Sequence, residues 1–256
     1  MNKIDLIKID HNIKIGDVCE YIEPNIIDDC IFYSDGIPIG FYLSKMPDKM
    51  CKYADIANNE FRSSNVPKSN MNRSSGEKGL TEKVQQYSTI IGSIAPRYNM
   101  RRPYGSTSLV HSTPSANTFI KSMLLLAKES EKLIQDILPD QFLKQSELFE
   151  NIPSKYKFGN LFTSSISNYN ISAPYHKDNG NIIGAVNVII CKKLNVIGGD
   201  LTIPDYNATI GQKDNSILVY PAWRNIHGVT PITPTFENGY RNSLVFYPLK
   251  AFVNLD

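Results

Sequence analysis

Two kinds of apolar pattern divide this chain. Between positions 119 and 137, Phe119, Ile120, Met123, Leu126, Ala127, Leu133, Ile134 and Ile137 recur at helical spacing, which predicts an amphipathic helix with one buried face. Thr113 and Pro114 stand ahead of it as a cap and a first helical residue, and Pro139 ends it. From position 161 onward short β-rich runs follow one another at 161–169, 184–190, 200–203, 216–220, 226–232 and 242–247. Turn signals separate them at Asn179-Gly180, Gly198-Gly199, Asp214-Asn215 and Asn238-Gly239. Short strands at this spacing, with no helical pattern between them, predict an antiparallel sandwich or barrel. Near the N-terminus, two apolar runs within 31–43 flank Asp35-Gly36 and predict a hairpin. The polar stretch 58–79 predicts a long exposed loop. The fold class is therefore α+β. No linker signal divides the chain, so one domain is expected: a hairpin and polar segment over 1–110, a supporting helix within 111–160, and a β core over 161–250.

Composition adds bounds. The 256 residues are 41% hydrophobic and 20% charged, a globular balance that can bury a sizeable core. Cys19, Cys30, Cys51 and Cys191 are irregularly spaced with no Cys-x-x-Cys pair. That argues against a disulfide framework or zinc knuckle and for a reducing compartment. The opening residues MNKIDLIKID alternate charged and apolar positions, unlike a signal peptide, and no run is long enough to span a bilayer. A soluble intracellular protein with no membrane association and no obligate protein partner is expected. Net charge is only +2, but it is uneven. Between 62 and 102 lie Arg62, Lys68, Arg73, Lys78, Lys83, Arg97, Arg101 and Arg102 against Glu77 and Glu82, a local +6. Such a segment is either an anion-binding surface or a solvated loop.

The chemistry lies in the β-rich half. His176 and Asp178 are separated by one residue, so in an extended chain both point to the same face. His227 follows in NIHGVTPI, and Arg241 and Ser243 open RNSLVFY. Only four histidines exist, His11, His111, His176 and His227, and two of them hold these places. Two imidazoles and one carboxylate form the facial triad of non-haem iron(II) sites, which leaves positions open for a bidentate 2-oxoacid and dioxygen. The far carboxylate of 2-oxoglutarate needs a strong buried partner, which the Arg241 guanidinium with Ser243 beside it can supply. Gly198-Gly199-Asp200 before LTIP reads as a tight turn into an inward-facing strand or as an ordinary hairpin.

The order His-x-Asp, His, Arg-x-Ser resembles the Fe(II)/2-oxoglutarate dioxygenases, whose core is a double-stranded β-helix (jelly roll), over roughly positions 160–250. Within them the chain most resembles the TET/JBP group of nucleic-acid pyrimidine hydroxylases. HKDNGN, GGDLTIPDYN, LVYPAWRNIHGVTPI and YRNSLVFYPL carry the likeness, with SIAPRYNMRRPYGSTSLVHSTPSAN as an Arg-rich lead-in. The compact length resembles a viral or microbial member of the group. The Cys-rich zinc region of the animal enzymes is absent from this sequence, which favours a JBP-like thymine hydroxylase or a minimal 5-methylcytosine oxidase. The resemblance implies His176, Asp178 and His227 as iron ligands, with Arg241 and Ser243 on 2-oxoglutarate and O2 as co-substrate. It implies Arg101, Arg102, Lys177 and Asn179 as substrate contacts. DNA is the implied partner, ahead of RNA or a free nucleotide. Trp223, the only tryptophan, is read as a core residue or a base-stacking platform. An oxygenase acting on a protein side chain or small molecule, and a cupin-like binding module without iron, are the competing readings.

Overall fold

The computed structural model describes residues 1–71 and 85–253. Strands β1 (Asn2–Asp5), β2 (Cys30–Ser34) and β3 (Ile37–Leu43) lead into helix α1 (Asp48–Arg62). Next come β4 (Ser69–Asn70), β5 (Tyr87–Ile94) and β6 (Ser106–Thr107), then helices α2 (Asn117–Ile137) and α3 (Pro139–Glu150). The C-terminal half holds β7 (Ser164–Tyr169), β8 (Ala173–His176), β9 (Asn187–Leu194), β10 (Val196–Gly198) and β11 (Leu201–Ile203). It ends with β12 (Ala208–Ile210), β13 (Ser216–Tyr220), β14 (His227–Val229), β15 (Ile232–Pro234) and β16 (Tyr240–Tyr247). A large sheet runs β1-β2-β3-β13-β9-β16-β7-β5-β4, with β6 beside β5. A four-stranded sheet runs β12-β11-β14-β8, and β10 pairs with β15 in a separate ribbon. The strands that bear on the site are antiparallel, as expected.

The period of two along the central strands sorts side chains to the two faces of the large sheet. On β16, Leu244 and Phe246 join the outer core, while Arg241, Ser243, Val245 and Tyr247 turn to the inner face. The outer face carries Val188, Ile190, Ile217 and Val219, and the helices bury their apolar stripes on it. From α1 come Met50, Ala54 and Phe61; from α2 come Phe119, Met123, Leu126 and Ile134. Each large side chain buried this way contributes roughly 1.5–3 kcal/mol. On the inner face, Phe32, Tyr42, Leu218 and Tyr220 meet Leu201, Ile203, Ala208 and Ile210 of the small sheet. That second core holds the two sheets face to face.

The hairpin forms between β2 and β3, with Asp35 and Gly36 both at positive φ (53° and 75°), as a two-residue turn matched to strand twist requires. Several boundaries differ from expectation. The stretch 58–79 is not all loop: it opens inside α1, which buries Asn58 and Phe61, and β4 covers Ser69–Asn70. Pro114–Ala116 forms a single tight turn and Thr113 makes no side-chain cap bond, so α2 starts at Asn117. Pro139 ends α2 but also opens α3, because a proline without an N–H suits the first turn of the next helix. The run 226–232 splits into β14 and β15, since the chain leaves one sheet at Thr230 and Pro231 and joins another. All four cysteines are free and buried. Among the described residues no helix is long and apolar enough to cross a membrane. Of the basic segment, Arg73, Lys78 and Lys83, with Glu77 and Glu82, lie outside the described residues.

Candidate functional site

His176 is the last residue of β8, and His227 is the first of β14. Antiparallel pairing sets them directly opposite each other, so the two rings stand 4.4 Å apart between centroids and tilted by 55°. The register breaks between His227 and Val229, a bulge that re-aims a side chain at the end of a ladder. Gly228 permits close approach there, since a Cβ would sit 2.8 Å from Cys19 Sγ. Two residues beyond β8, Asp178 brings Oδ1 to 3.7 Å from His176 Nε2. One donor atom from each of His176, Asp178 and His227 falls within 4.8 Å of the others. Among the described residues, this is the one such group of three that could hold a metal ion.

Outer partners fix these donors. His176 Nδ1 lies 2.8 Å from Pro174 O, and His227 Nδ1 lies 3.1 Å from Asn225 O. A carbonyl can only accept, so each ring carries its proton on Nδ1 and leaves the Nε2 lone pair free. Burial, and then the neighbouring His176, push the His227 pKa down, which favours the neutral ring that a metal requires. Asp178 Oδ2 accepts from Asn187 Nδ2 at 3.2 Å and Asn181 Nδ2 at 3.4 Å, and the two amides bond to each other at 3.0 Å. The carboxylate is thereby oriented through one oxygen, with Oδ1 turned toward His176.

The triad shares a cavity of about 360 Å³ with Arg241 and Ser243. The volume suits a small co-substrate and a substrate fragment. Ile166, Ile189, Val229 and Val245 provide apolar wall, and Asn168 and Tyr247 add polar atoms. Arg241 is 2% exposed. Its Nη2 donates to Gln212 Oε1, and its backbone N–H donates to Asn170 Oδ1 at 2.9 Å. Its buried Nε has no hydrogen-bond partner among the described residues. Such a group calls for an acceptor, and a ligand carboxylate is the natural one for a guanidinium. Asp200 lies close by, held by Lys193 Nζ at 3.6 Å and Gln212 N at 2.9 Å. Burial pushes its carboxyl pKa up against the pull of Lys193. The glycine pair makes this corner possible. Gly198 has φ +76° and a Cβ there would lie 1.9 Å from Pro231 O, while a Cβ on Gly199 would lie 2.8 Å from Arg241 Cδ. Two imidazoles, one carboxylate and a buried guanidinium thus fit a divalent transition ion and an oxoacid.

The remaining expected contacts sit elsewhere. Lys177 and Asn179 flank Asp178, half-buried and exposed respectively, and neither lines the cavity. Arg101 and Arg102 are exposed, on a tight excursion closed by Arg97 N to Arg102 O at 2.7 Å, and also lie outside the lining. Just before the excursion, Ala95 packs on the small core that also takes the lining residue Leu249. Trp223 is half-buried, with its indole N–H donating to Ala185 O at 2.8 Å, and it too is outside the lining. Asn181, Asn187, Gln212 and Asn170 are the site residues that sequence reasoning missed. Asn181 and Asn187 follow Asp178 closely, but isolated amides carry no spacing rule that would have found them.

No family model matches the sequence, and no curated protein does. Solved structures do match. NgTET1, solved in complex with 5mC DNA, is similar with a TM-score of 0.61 at 15% identity, over 94% of this chain and 83% of that one. An oxidoreductase of the 2OG-Fe(II) oxygenase family from Burkholderia pseudomallei gives 0.45 at 13% identity, over 81% of this chain and 84% of its own. OsALKBH1 gives 0.39 at 13%, over 89% and 100%. The likeness to NgTET1 is a likeness of fold.

Proposed function

We propose that this chain is an Fe(II)/2-oxoglutarate-dependent dioxygenase that hydroxylates the 5-methyl group of a pyrimidine in DNA, either thymine or 5-methylcytosine. The two facing sheets are then a double-stranded β-helix. One observation carries the reading: a His-Asp-His cluster with its donor atoms within 4.8 Å of one another shares a cavity with a buried arginine. In this reading His176 Nε2, Asp178 and His227 Nε2 hold ferrous iron, and Arg241 with Ser243 holds the distal carboxylate of 2-oxoglutarate. Bound there, iron, the oxoacid and dioxygen supply the chemistry that replaces one methyl hydrogen by hydroxyl as the oxoacid becomes succinate and carbon dioxide.

The protein's own part is to bind, orient and exclude. Pro174 and Asn225 carbonyls hold the imidazole tautomers, and Asn181 and Asn187 hold the Asp178 carboxylate. Ile166, Ile171, Val229 and Val245 keep the cavity wall apolar. A methyl group stacked inside a duplex cannot enter such a cavity, so the target nucleotide is flipped out or presented single-stranded, at a few kcal/mol of unstacking.

DNA as substrate is supported by the exposed arginines Arg97, Arg101 and Arg102 and by the TM-score of 0.61 to a protein solved with 5mC DNA. Replacing Arg101 and Arg102 by alanine is expected to weaken DNA binding uniformly across sequences. The slope of log affinity against log salt should shrink by about 2, one unit per phosphate contact. Fluorescence anisotropy across a salt series measures this, and an unchanged slope would make the segment a solvated loop. The function itself is tested with iron, 2-oxoglutarate and oligonucleotides carrying thymine or 5-methylcytosine, followed by nucleoside mass spectrometry. A 5-hydroxymethyl product from either base is the expected result; oxoacid turnover with both bases left intact would count against a nucleic-acid substrate.

A further inference from the structure

Two histidines lie outside the site. His111 Nε2 accepts from Gly92 N at 2.9 Å, a local tie. His11 is different, because its contacts lead inward. His11 Nδ1 accepts from Ile13 N at 3.1 Å, so the ring proton sits on Nε2 and points to Asp205 Oδ1 at 2.6 Å. The other oxygen of Asp205 accepts from Asn225 Nδ2, and Asn225 Oδ1 accepts from Tyr220 OH at 2.9 Å. The buried Asn225 side chain is thus held at both ends, and its backbone carbonyl is the acceptor that fixes His227 Nδ1.

The same N-terminal segment supports the second histidine. Strand β8 is an edge of the small sheet. Its Tyr175, next to His176, donates N–H to Asp17 O at 2.9 Å and accepts from Gly16 N at 2.7 Å. Further on, Cys19 is fully buried against Gly228, the neighbour of His227. Ile9 N bonds to Asp205 O at 2.8 Å, which brings the strap onto the same turn.

We infer that residues 9–19 form a strap that positions both histidines of the triad, with His11 a positioning residue acting on His227 through Asp205 and Asn225. Without the strap, the Asn225 carbonyl is free to turn and His227 loses the acceptor that selects its Nδ1–H tautomer. The edge beside His176 loses its backbone partners at the same time. Outer partners of ligating histidines commonly set metal affinity by 10–100-fold, and here that partner is itself set from the far end of the chain. The metal consequence rests on the function proposed above; the tautomer consequence does not.

The test uses the full chain, ¹⁵N-labelled at histidine, in the parent and in His11→Ala, His11→Gln and Asp205→Asn. Without added metal, imidazole ¹⁵N spectra should show His227 as a single Nδ1–H tautomer in the parent. It should become a mixture in His11→Ala and Asp205→Asn, and return in His11→Gln, whose amide can still donate to Asp205. Co(II) titrated into the same samples should bind 10–100-fold more weakly to the two disruptive variants. If His11→Ala does not fold, Asp205→Asn carries the comparison. An unchanged His227 tautomer in the disruptive variants overturns the inference, even if Co(II) affinity falls. A parent that binds no Co(II) removes the metal reading, and the imidazole spectra then decide the strap alone.

Discussion

Replacing Asp178 by alanine is expected to abolish methyl oxidation while leaving the fold intact. The carboxylate is the one anionic donor in the cluster, with Oδ1 at 3.7 Å from His176 Nε2. Two imidazoles alone would hold a ferrous ion far more weakly, and would leave its charge uncompensated in a partly apolar cavity. Removing an outer partner of a metal ligand typically costs 10–100-fold in affinity or activity, so losing a ligand should cost more than about 100-fold. The fold survives because Asn181 and Asn187 keep their mutual bond at 3.0 Å when Asp178 is gone. Circular dichroism with nucleoside mass spectrometry measures both sides. Well-folded Asp178→Ala that still oxidises the base would exclude Asp178 from the reaction.

The second large effect is on the oxoacid. Arg241→Ala removes a guanidinium whose Nε has no protein partner among the described residues. Breaking one side of a buried charge pair costs about 3–5 kcal/mol, so half-saturating 2-oxoglutarate should rise by about two to more than three decades. Turnover at saturating oxoacid should fall much less, because the guanidinium binds a part of the co-substrate that does not react. Arg241→Lys keeps the charge but not the planar fork, and should fall between parent and alanine. This variant also guards against a folding defect, since it still fills the space that Gly199 leaves open. A 2-oxoglutarate requirement that stays the same in both variants would remove Arg241 from that role.

Periodicity and spacing carried much of this arrangement in the sequence. The alternation in β16 sends Arg241 and Ser243 to one face and Leu244 and Phe246 to the other, and period two is readable in any strand. His176 and Asp178 are neighbours in sequence, so their meeting needs only an extended chain. That His227 would stand opposite His176 was legible as an order of motifs, but its register depends on a bulge that no short-range rule predicts. Helix α1 was hidden because polar residues interrupt its apolar stripe, and Asn58 is itself buried, with its amide donating to Tyr240 OH at 3.0 Å. Strand β5 was hidden by its serines and threonine, buried by pairing with β7 and not by apolar character. The contact of His11 with Asp205 spans 194 positions, a separation at which local pattern says nothing.

One measurement addresses the central claim directly: absorption spectra of the chain titrated with Fe(II) and 2-oxoglutarate in the absence of oxygen. A chelated oxoacid on a triad-bound ferrous ion gives a visible charge-transfer band. The account predicts that band in the parent, its loss in Asp178→Ala, and its displacement to much higher oxoacid concentration in Arg241→Ala. A parent chain that shows no band at saturating iron and oxoacid would contradict it.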